Sequence, residues 1–226
     1  MKNDNDEIVY EDFAKYPRSI DSDRQIAEQA GARVIFHPNM SVIYPRKYGI
    51  SLSLPDVASR WESDFRPTHF AGVMGVCLRL FNLVTPDAVF FGQKDLQQLR
   101  VIETMVQDLR LGIRVVPIRT VRDKDGLAMS SRNAYLSPEQ RTLALVIREA
   151  LTLGRAKIIE GNNSVQEIES AMCEIILAKN GLTIDYLNIV HSQTLEPAIT
   201  LRGELAIIAA VRVGGTRLID NEILTV

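Results

Sequence analysis

The sequence predicts an α/β fold, with a parallel sheet followed by a smaller α+β carboxyl-terminal domain. Two observations indicate this. Strand and helix patterns alternate in the middle of the 226-residue chain, and two helical stretches followed by three β-rich runs fill its last third. Alternation is typical of parallel sheets with crossover helices, whereas separate groups of helices and strands are typical of α+β domains. We place the boundary near residue 123, which gives domains of residues 1–123 and 124–226.

The first third of the chain predicts short elements. Residues 20–30 have a helical pattern, and residues 33–36 form an apolar run that His37 and Pro38 close, as expected for a buried strand. Residues 51–54 are compatible with another short strand.

The middle of the chain predicts a buried helix and then a strand–helix–strand unit. From Phe70 onward apolar residues recur three and four positions apart, and this helix should end before Pro86. The run AVFFG at residues 88–92 is β-rich, a second helical pattern continues to Gly112, and residues 113–118 predict the next strand. This order indicates a βαβ unit with a parallel sheet.

The carboxyl-terminal part predicts two helices and three strands. The helical patterns cover residues 139–159 and 164–179, and the β-rich runs cover residues 184–190, 204–211 and 217–224. Gly214 and Gly215 separate the last two runs, which is a hairpin signal. The charged segment 122–133, which precedes the first of these helices, is either a functional loop or a domain linker.

Composition narrows the class of protein. With 26 basic and 28 acidic residues the net charge is -2, so the chain lacks the basic surface expected of a nucleic-acid-binding protein. No apolar run reaches the roughly 18 residues of a membrane span, and the amino terminus lacks the apolar core of a signal peptide. We expect a cytoplasmic enzyme acting on small molecules. Cys77 and Cys173 are the only cysteines, which argues against a disulfide framework or a thiolate metal site.

One candidate site follows the strand at residues 88–92. The sequence FFGQKDLQQ places Gly92, Gln93, Lys94 and Asp95 between that strand and the start of a helix. Ligands bind beyond the carboxyl ends of parallel strands, and helix amino termini favour phosphate. Lys94 would then contact phosphate oxygens, with Gln98 one turn further along the helix. A solvated lysine beside an ordinary turn explains the local sequence equally well.

A second candidate is the segment DGLAMSSRN at residues 125–133. Ser130, Ser131, Arg132 and Asn133 offer hydroxyls, a guanidinium and an amide in succession, a set suited to phosphate. Taken alone, the segment is better explained as a polar linker whose serines cap the next helix.

Two further groups are more readily structural. Arg66 and His69 lie at the entrance to a helix, where a histidine is more often structural than ligand-binding. Asp21 and Asp23, which follow the YPRS segment, fall in a first helical turn and complement its dipole.

Together, five segments resemble the pantothenate synthetases over nearly the whole chain. They are YPR at residues 16–18, RPTHFAGV at 66–73, LFNLVTPDAVFFGQKDLQQL at 80–99, DGLAMSSRNAYLS at 125–137 and TRLIDN at 216–221. The resemblance implies an HxGH nucleotidyltransferase-like enzyme with a Rossmann-like ATP domain and a smaller carboxyl-terminal domain. It also implies a homodimer.

The resemblance implies an ATP-dependent ligase that joins pantoate to β-alanine through pantoyl adenylate. Mg²⁺ would be carried on the phosphates of ATP, with no side chain of this chain implied as a metal ligand. The implied catalytic residues are Lys94, Ser130 and Arg132. The implied nucleotide contacts are Gly92, Gln93, Lys94, Asp95, Val121, Met129, Ser130, Ser131 and Arg132. Gln98 matches a glutamine that holds pantoate.

One family feature has no match in the printed sequence. The histidines are His37, His69 and His191, and no two of them have the HxGH spacing. We therefore expect an incomplete Rossmann-like sheet and a truncated amino terminus. The competing hypothesis is a non-catalytic remnant, or a subunit completed by a partner chain. A nicotinamide-dependent oxidoreductase is disfavoured because the sequence has no G-x-G-x-x-G turn.

Overall fold

The computed structural model describes residues 19–46, 50–162 and 164–226. The YPR segment at residues 16–18 lies outside them. The described residues form seven α-helices and five strands. The helices are α1 (Ile20–Gln29), α2 (Met40–Ile43), α3 (Glu62–Phe65), α4 (His69–Val84), α5 (Leu96–Asp108), α6 (Pro138–Ile159) and α7 (Val165–Leu177). The strands are β1 (Ala88–Gly92), β2 (Arg114–Ile118), β3 (Leu182–His191), β4 (Glu204–Val213) and β5 (Thr216–Thr225).

The described residues fall into two compact units. The first comprises residues up to 53 together with 71–85, and the second comprises 54–70 and 86–226. In the first unit Ser19 caps the amino terminus of α1, because its Oγ accepts a hydrogen bond from the backbone N–H of Ser22 at 3.3 Å. Further along, the Arg79 guanidinium lies over the Tyr44 ring, 4.7 Å from its centroid.

Two predicted strands in this part of the chain are wrong. Residues 33–36 and 51–54 have irregular backbone, and Val34 is 83% exposed. A strand needs a neighbour for its backbone hydrogen bonds. Among the described residues, neither segment pairs with another strand, so an apolar run alone is insufficient.

The second unit contains the predicted βαβ arrangement. β1 pairs in parallel with β2, with Ala88 opposite Arg114 and Gly92 opposite Ile118. α5 connects the two strands and buries Leu96, Leu99, Val101, Ile102, Met105 and Val106. α4 ends at Val84, before Pro86 as predicted. The chain therefore leaves β1 at Gly92 and enters a short 3-10 turn, Gln93–Asp95, directly before α5.

The antiparallel sheet has the order β3-β4-β5, with β4 in the centre. Gly214 and Gly215 join β4 to β5, and Gly214 has the positive φ of +57° that such a hairpin turn requires. The confirmed elements give the predicted α/β class with an α+β carboxyl-terminal part. The division into domains at residue 123 stays a prediction.

Both faces of β4 are buried, and one of them packs against the start of α5. On one face, Leu205, Ile207, Ala209 and other residues share a core with α6 and α7. On the other face, Ala206 and Ile208 pack in a cluster with Leu96 and Leu99 of α5. This packing brings the neighbouring strand β5 close to the turn at residues 93–95.

No helix in the described part of the chain is both long enough and apolar enough to cross a membrane.

Candidate active site

The turn between β1 and α5 presents Lys94 to a cleft. Only 15% of the Lys94 side chain is exposed, and its Nζ lies 3.9 Å from Oδ1 of Asp95. From β5, Nδ2 of Asn221 donates to the backbone carbonyls of Gln93 and Lys94 at 2.8 and 2.9 Å. Lys94 is therefore a largely buried cation on a turn whose backbone is held by a second strand.

Four of the residues predicted for the site line this cleft. The cleft has an empty volume of about 530 Å³, which includes the part open to solvent. The four residues are Lys94, Asp95, Gln98 and Arg132. The structure thus brings the segment after β1 together with Arg132, although more than 30 residues separate them in the sequence.

Lys94 also lines an adjoining cleft of about 290 Å³, together with Ser130, Asn133 and Arg148. Asn133 donates from Nδ2 to the carbonyl of Ala128 at 3.0 Å. Its Oδ1 is buried, with no hydrogen-bond partner among the described residues. The second cleft therefore combines a lysine and an arginine with an unsatisfied acceptor, which is an arrangement open to a polar ligand.

Residues 121–129 form a small hairpin, which we call the 121–129 hairpin. The backbone N–H of Met129 donates to the carbonyl of Val121 at 2.9 Å, and Arg122 and Ala128 form an isolated antiparallel bridge. Val121 is 59% exposed and Met129 is 53% exposed. The two residues predicted to contact the nucleotide from this segment are thus neighbours on an open surface.

Side chains from elsewhere hold the hairpin. Asp220 on β5 accepts hydrogen bonds from Nη1 and Nη2 of Arg122 at 2.6 and 3.0 Å. On the other side, Arg141 of α6 donates to Asp125 and Asp123 at 2.9 and 2.8 Å. The predicted loop is therefore an anchored hairpin.

The serines after the hairpin do not cap α6. Ser130 Oγ accepts a hydrogen bond from the N–H of Arg132 at 3.2 Å and so caps the 3-10 turn Ser131–Tyr135. α6 has its own capping box, in which Ser137 Oγ accepts from the N–H of Gln140 at 3.2 Å and the Gln140 side chain accepts from the N–H of Ser137 at 3.0 Å. The linker explanation of the serines as caps of α6 is therefore wrong.

A buried charged network, which sequence reasoning missed, borders the first cleft. Nη1 of Arg217 on β5 donates to Oε2 of Glu62 at 2.8 Å, and Nε of Arg217 donates to Asp185 at 2.6 Å. The hydroxyl of Tyr186 donates to Oε1 of Glu62 at 2.8 Å. Burial by itself raises the pKa of Glu62, but hydrogen bonds and charge from Arg217, with help from Tyr186, hold that pKa below its ordinary value.

His69 lies on the same cleft as a neutral imidazole. Burial, reinforced by the charge of Arg66, lowers the pKa of His69 to about 4. Nη1 of Arg66 is 3.4 Å from Nε2 of His69. At neutral pH the ring can exchange hydrogen bonds with a ligand but carries no charge.

A signal for the missed residues is present in the sequence. β5 contains three buried polar residues, Arg217, Asp220 and Asn221, on either side of the apolar pair at residues 218 and 219. Charged and amide side chains in a buried strand need partners. The polar residues of TRLIDN could therefore have been identified as candidate site residues from the strand pattern alone. Glu62 lies in no such pattern, so the sequence does not single it out.

The fold and this site define an α/β enzyme whose clefts gather cations and amides around the carboxyl end of a parallel strand. The family model described as pantoate-β-alanine ligase matches residues 4–223. The pantothenate synthetase of Caldicellulosiruptor saccharolyticus is 43% identical over 216 residues, covering 96% of this chain and 77% of that protein. The pantothenate synthetase of Heliobacterium modesticaldum is 44% identical, with the same coverage of both chains.

Solved structures agree. The pantothenate synthetase of Thermus thermophilus superposes with a TM-score of 0.90 at 40% identity, covering 95% of this chain and 78% of that one. The pantoate-β-alanine ligase of Francisella tularensis, solved in complex with β-γ ATP and β-alanine, has a TM-score of 0.71 at 26% identity, covering 94% and 72%. The chain belongs to the pantoate-β-alanine ligase family. The resemblance inferred from the five segments is confirmed, and so is the class of enzyme.

Proposed function

We propose that this chain condenses pantoate with β-alanine at the expense of ATP, through a pantoyl adenylate intermediate. The observation that carries the proposal is the convergence of Lys94, Gln98 and Arg132 on one cleft at the carboxyl end of β1. The ATP and β-alanine in the related Francisella tularensis structure support the choice of substrates.

In the first half-reaction, a carboxylate oxygen of pantoate attacks the α-phosphorus of ATP. A new oxygen–phosphorus bond forms, the bond between the α-phosphorus and the bridging oxygen breaks, and pyrophosphate leaves with the electron pair. Negative charge accumulates on the transferring phosphoryl group and on the leaving group, so fixed cations beside them lower the barrier. In this proposal Lys94 and Arg132 supply those cations, with Ser130 as an additional hydrogen-bond donor.

In the second half-reaction, the neutral amine of β-alanine attacks the acyl carbon of pantoyl adenylate. The carbon–nitrogen bond forms, the bond between the acyl carbon and the phosphate oxygen breaks, AMP leaves with the electron pair, and the amine gives up one proton. No covalent bond to the protein is needed, so positioning accounts for most of the catalysis. Gln98 is assigned to pantoate in this scheme.

The remaining predicted contacts bind the nucleotide. Gly92, Gln93 and Asp95 provide the turn beside the phosphates, Val121 and Met129 contact the adenine side from the hairpin, and Ser131 completes the loop. The buried, unsatisfied Oδ1 of Asn133 in the adjoining cleft supports a polar ligand there.

Magnesium is proposed to arrive with ATP. Within residues 19–46, 50–162 and 164–226, no group of three or more His, Cys, Asp or Glu side chains could hold a metal ion. Mg²⁺ is commonly bound by substrate phosphates and water rather than by an all-protein cage. When bound, it would neutralise part of the phosphate charge. A homodimer is also proposed, on the resemblance alone.

Two assays test the function. In the first, the purified chain is incubated with ATP and labelled pyrophosphate, and we expect label to enter ATP only when pantoate is present. Lys94→Ala should lower this exchange by about a hundredfold. Lys179→Ala, at an exposed lysine beyond the end of α7, is the control and should leave it unchanged. No exchange by the unaltered chain would favour the non-catalytic hypothesis.

The second assay tests the intermediate. Pantoate labelled with ¹⁸O in its carboxylate should transfer one labelled oxygen to AMP, because the attacking oxygen leaves with the α-phosphorus. Label in inorganic phosphate, with ADP as product, would show an acyl phosphate route and overturn the adenylate.

A further inference from the structure

Two adjacent residues of β5 hold different parts of the candidate site. Asp220 and Asn221 are each 6% exposed. Successive side chains of a strand point to opposite faces of the sheet, so neighbours can reach two separate segments.

Asn221 holds the turn that carries Lys94. A side-chain amide has two N–H donors, and Nδ2 of Asn221 donates to both the Gln93 and Lys94 carbonyls, at 2.8 and 2.9 Å. Two successive carbonyls of the turn are therefore fixed from β5, which sets the direction in which the Lys94 side chain leaves the backbone. The Lys94 ammonium itself makes a loose ion pair, 3.9 Å from Asp95, so the backbone is the firmer constraint.

Asp220 holds the 121–129 hairpin. Its carboxylate accepts two hydrogen bonds from the Arg122 guanidinium, a planar pairing that fixes orientation as well as distance. Arg122 Nη1 also donates to the carbonyl of Gly126 at 3.2 Å, within the same hairpin. The backbone N–H of Asn221 donates to Oδ1 of Asp220 at 2.8 Å, which joins the two holding residues.

We propose that Asp220 and Asn221 are positioning residues of the ligase reaction, Asn221 for Lys94 and Asp220 for the hairpin that carries Val121 and Met129. The inference rests on the proposed function, which assigns Lys94 to the phosphates and the hairpin to the nucleotide. The two residues should have different kinetic signatures. A displaced Lys94 weakens stabilisation of the transition state and lowers kcat, whereas a loosened hairpin weakens nucleotide binding and raises the KM for ATP.

Steady-state kinetics of Asn221→Ala and Asp220→Asn test the proposal. We expect Asn221→Ala to lower kcat by about tenfold or more, with the KM for ATP changed by less than about threefold. We expect Asp220→Asn to raise the KM for ATP by about tenfold, with a smaller effect on kcat. Asn188→Ala is the matched control, because Asn188 lies on β3 of the same sheet and donates to Glu169 at 3.3 Å outside both clefts. It should leave kcat and KM unchanged.

Thermal unfolding of each variant shows that the assays are run on folded protein. Should Asn221→Ala fail to fold, Asn221→Ser takes its place, and its single remaining donor should give a smaller loss of kcat. If Asn221→Ala and Asp220→Asn match the control while Lys94→Ala is inactive, the positioning roles are wrong and the proposed function stands. If both variants lowered kcat and raised the KM for ATP to the same extent, the two residues would have a purely structural role. If the unaltered chain shows no exchange, the proposed function fails and this inference fails with it.

Discussion

Arg217 and Glu62, which are 155 positions apart in the sequence, form a buried ion pair with Nη1 and Oε2 separated by 2.8 Å. Each side chain is less than 9% exposed. The pair links β5 to the segment that carries Arg66 and His69. Because both charges are removed from water, each needs the other as its partner. Removing one partner should therefore lower the free energy of unfolding far more than replacing both by apolar residues.

We expect Glu62→Gln to lower the free energy of unfolding by about 3 kcal/mol, since it leaves the buried guanidinium of Arg217 only partly compensated. Tyr186→Phe removes a single hydrogen bond to Glu62 and should cost about 1 kcal/mol. Urea unfolding measures both.

The double variant Glu62→Leu with Arg217→Met should lower the free energy of unfolding by less than the sum of its two single changes. Additivity within about 0.5 kcal/mol would contradict a coupled pair.

His69 should make stability fall as the pH is lowered. Its pKa is about 4 in the folded chain, against an ordinary value of 6.5. Between these values the unfolded chain binds more protons, so the contribution of the neutral ring is complete above about pH 6.5 and is lost as the pH falls towards 4.

The measurement is the free energy of unfolding at pH 7.5 and pH 5, with His69→Gln as the reference. The unaltered chain should lose on the order of 1–2 kcal/mol more than the variant, a range reduced for the partial exposure of the ring. Parallel pH dependence in the two proteins would show that folding does not lower the pKa of His69.

Gly154 should be intolerant of even a methyl group. It is buried in α6, and an added Cβ would lie 2.9 Å from Cδ1 of Ile207 and even closer to the sulfur of Met172. Overpacking should outweigh the gain in helix propensity, so we expect Gly154→Ala to destabilise the chain by about 1–2 kcal/mol. Thr152→Ala, at an exposed position of the same helix, is the control and should be neutral or slightly stabilising. A gain in stability for Gly154→Ala would mean that the core relaxes around it.

Local patterns predict elements whose signals lie within a few residues. The strand β1 is predicted with its observed bounds because a short apolar run is followed at once by glycine and polar residues. The Gly214–Gly215 hairpin is likewise predictable from its turn chemistry. The prediction for residues 33–36 fails because strand formation depends on a partner, which an apolar run does not reveal.

The same distinction between local signals and distant partners applies to the candidate site. Lys94 can be predicted because it follows a strand, in the position where α/β sheets bind ligands, and Gln98 because it lies one helical turn further on. Glu62 cannot, because its importance arises from Arg217 on a strand at the far end of the sequence. Asn221 is visible as a polar residue in a strand, but its two acceptors become apparent only when β5 is placed beside the turn at Gln93.

Trp61 should report directly on ligand binding. It is the single tryptophan of the chain and lines the same cleft as Lys94 and Gln98. Its indole N–H donates to the carbonyl of Leu195 at 2.9 Å, and its ring centroid is 5.6 Å from that of Tyr186. Ligand that displaces water from the cleft should therefore shift the tryptophan emission to shorter wavelength.

The titration uses pantoate with a non-hydrolysable ATP analogue, and calorimetry on the same samples measures binding independently. Lys94→Ala should give the same shift at a higher analogue concentration, because the fluorophore is intact and only the proposed phosphate contact is lost. Trp61→Phe should lose the optical signal while keeping measurable heat of binding. If calorimetry detects binding to the unaltered chain and the emission of Trp61 does not change, then the ligands do not occupy the cleft that Trp61 shares with Lys94, and the placement of the active site there is wrong.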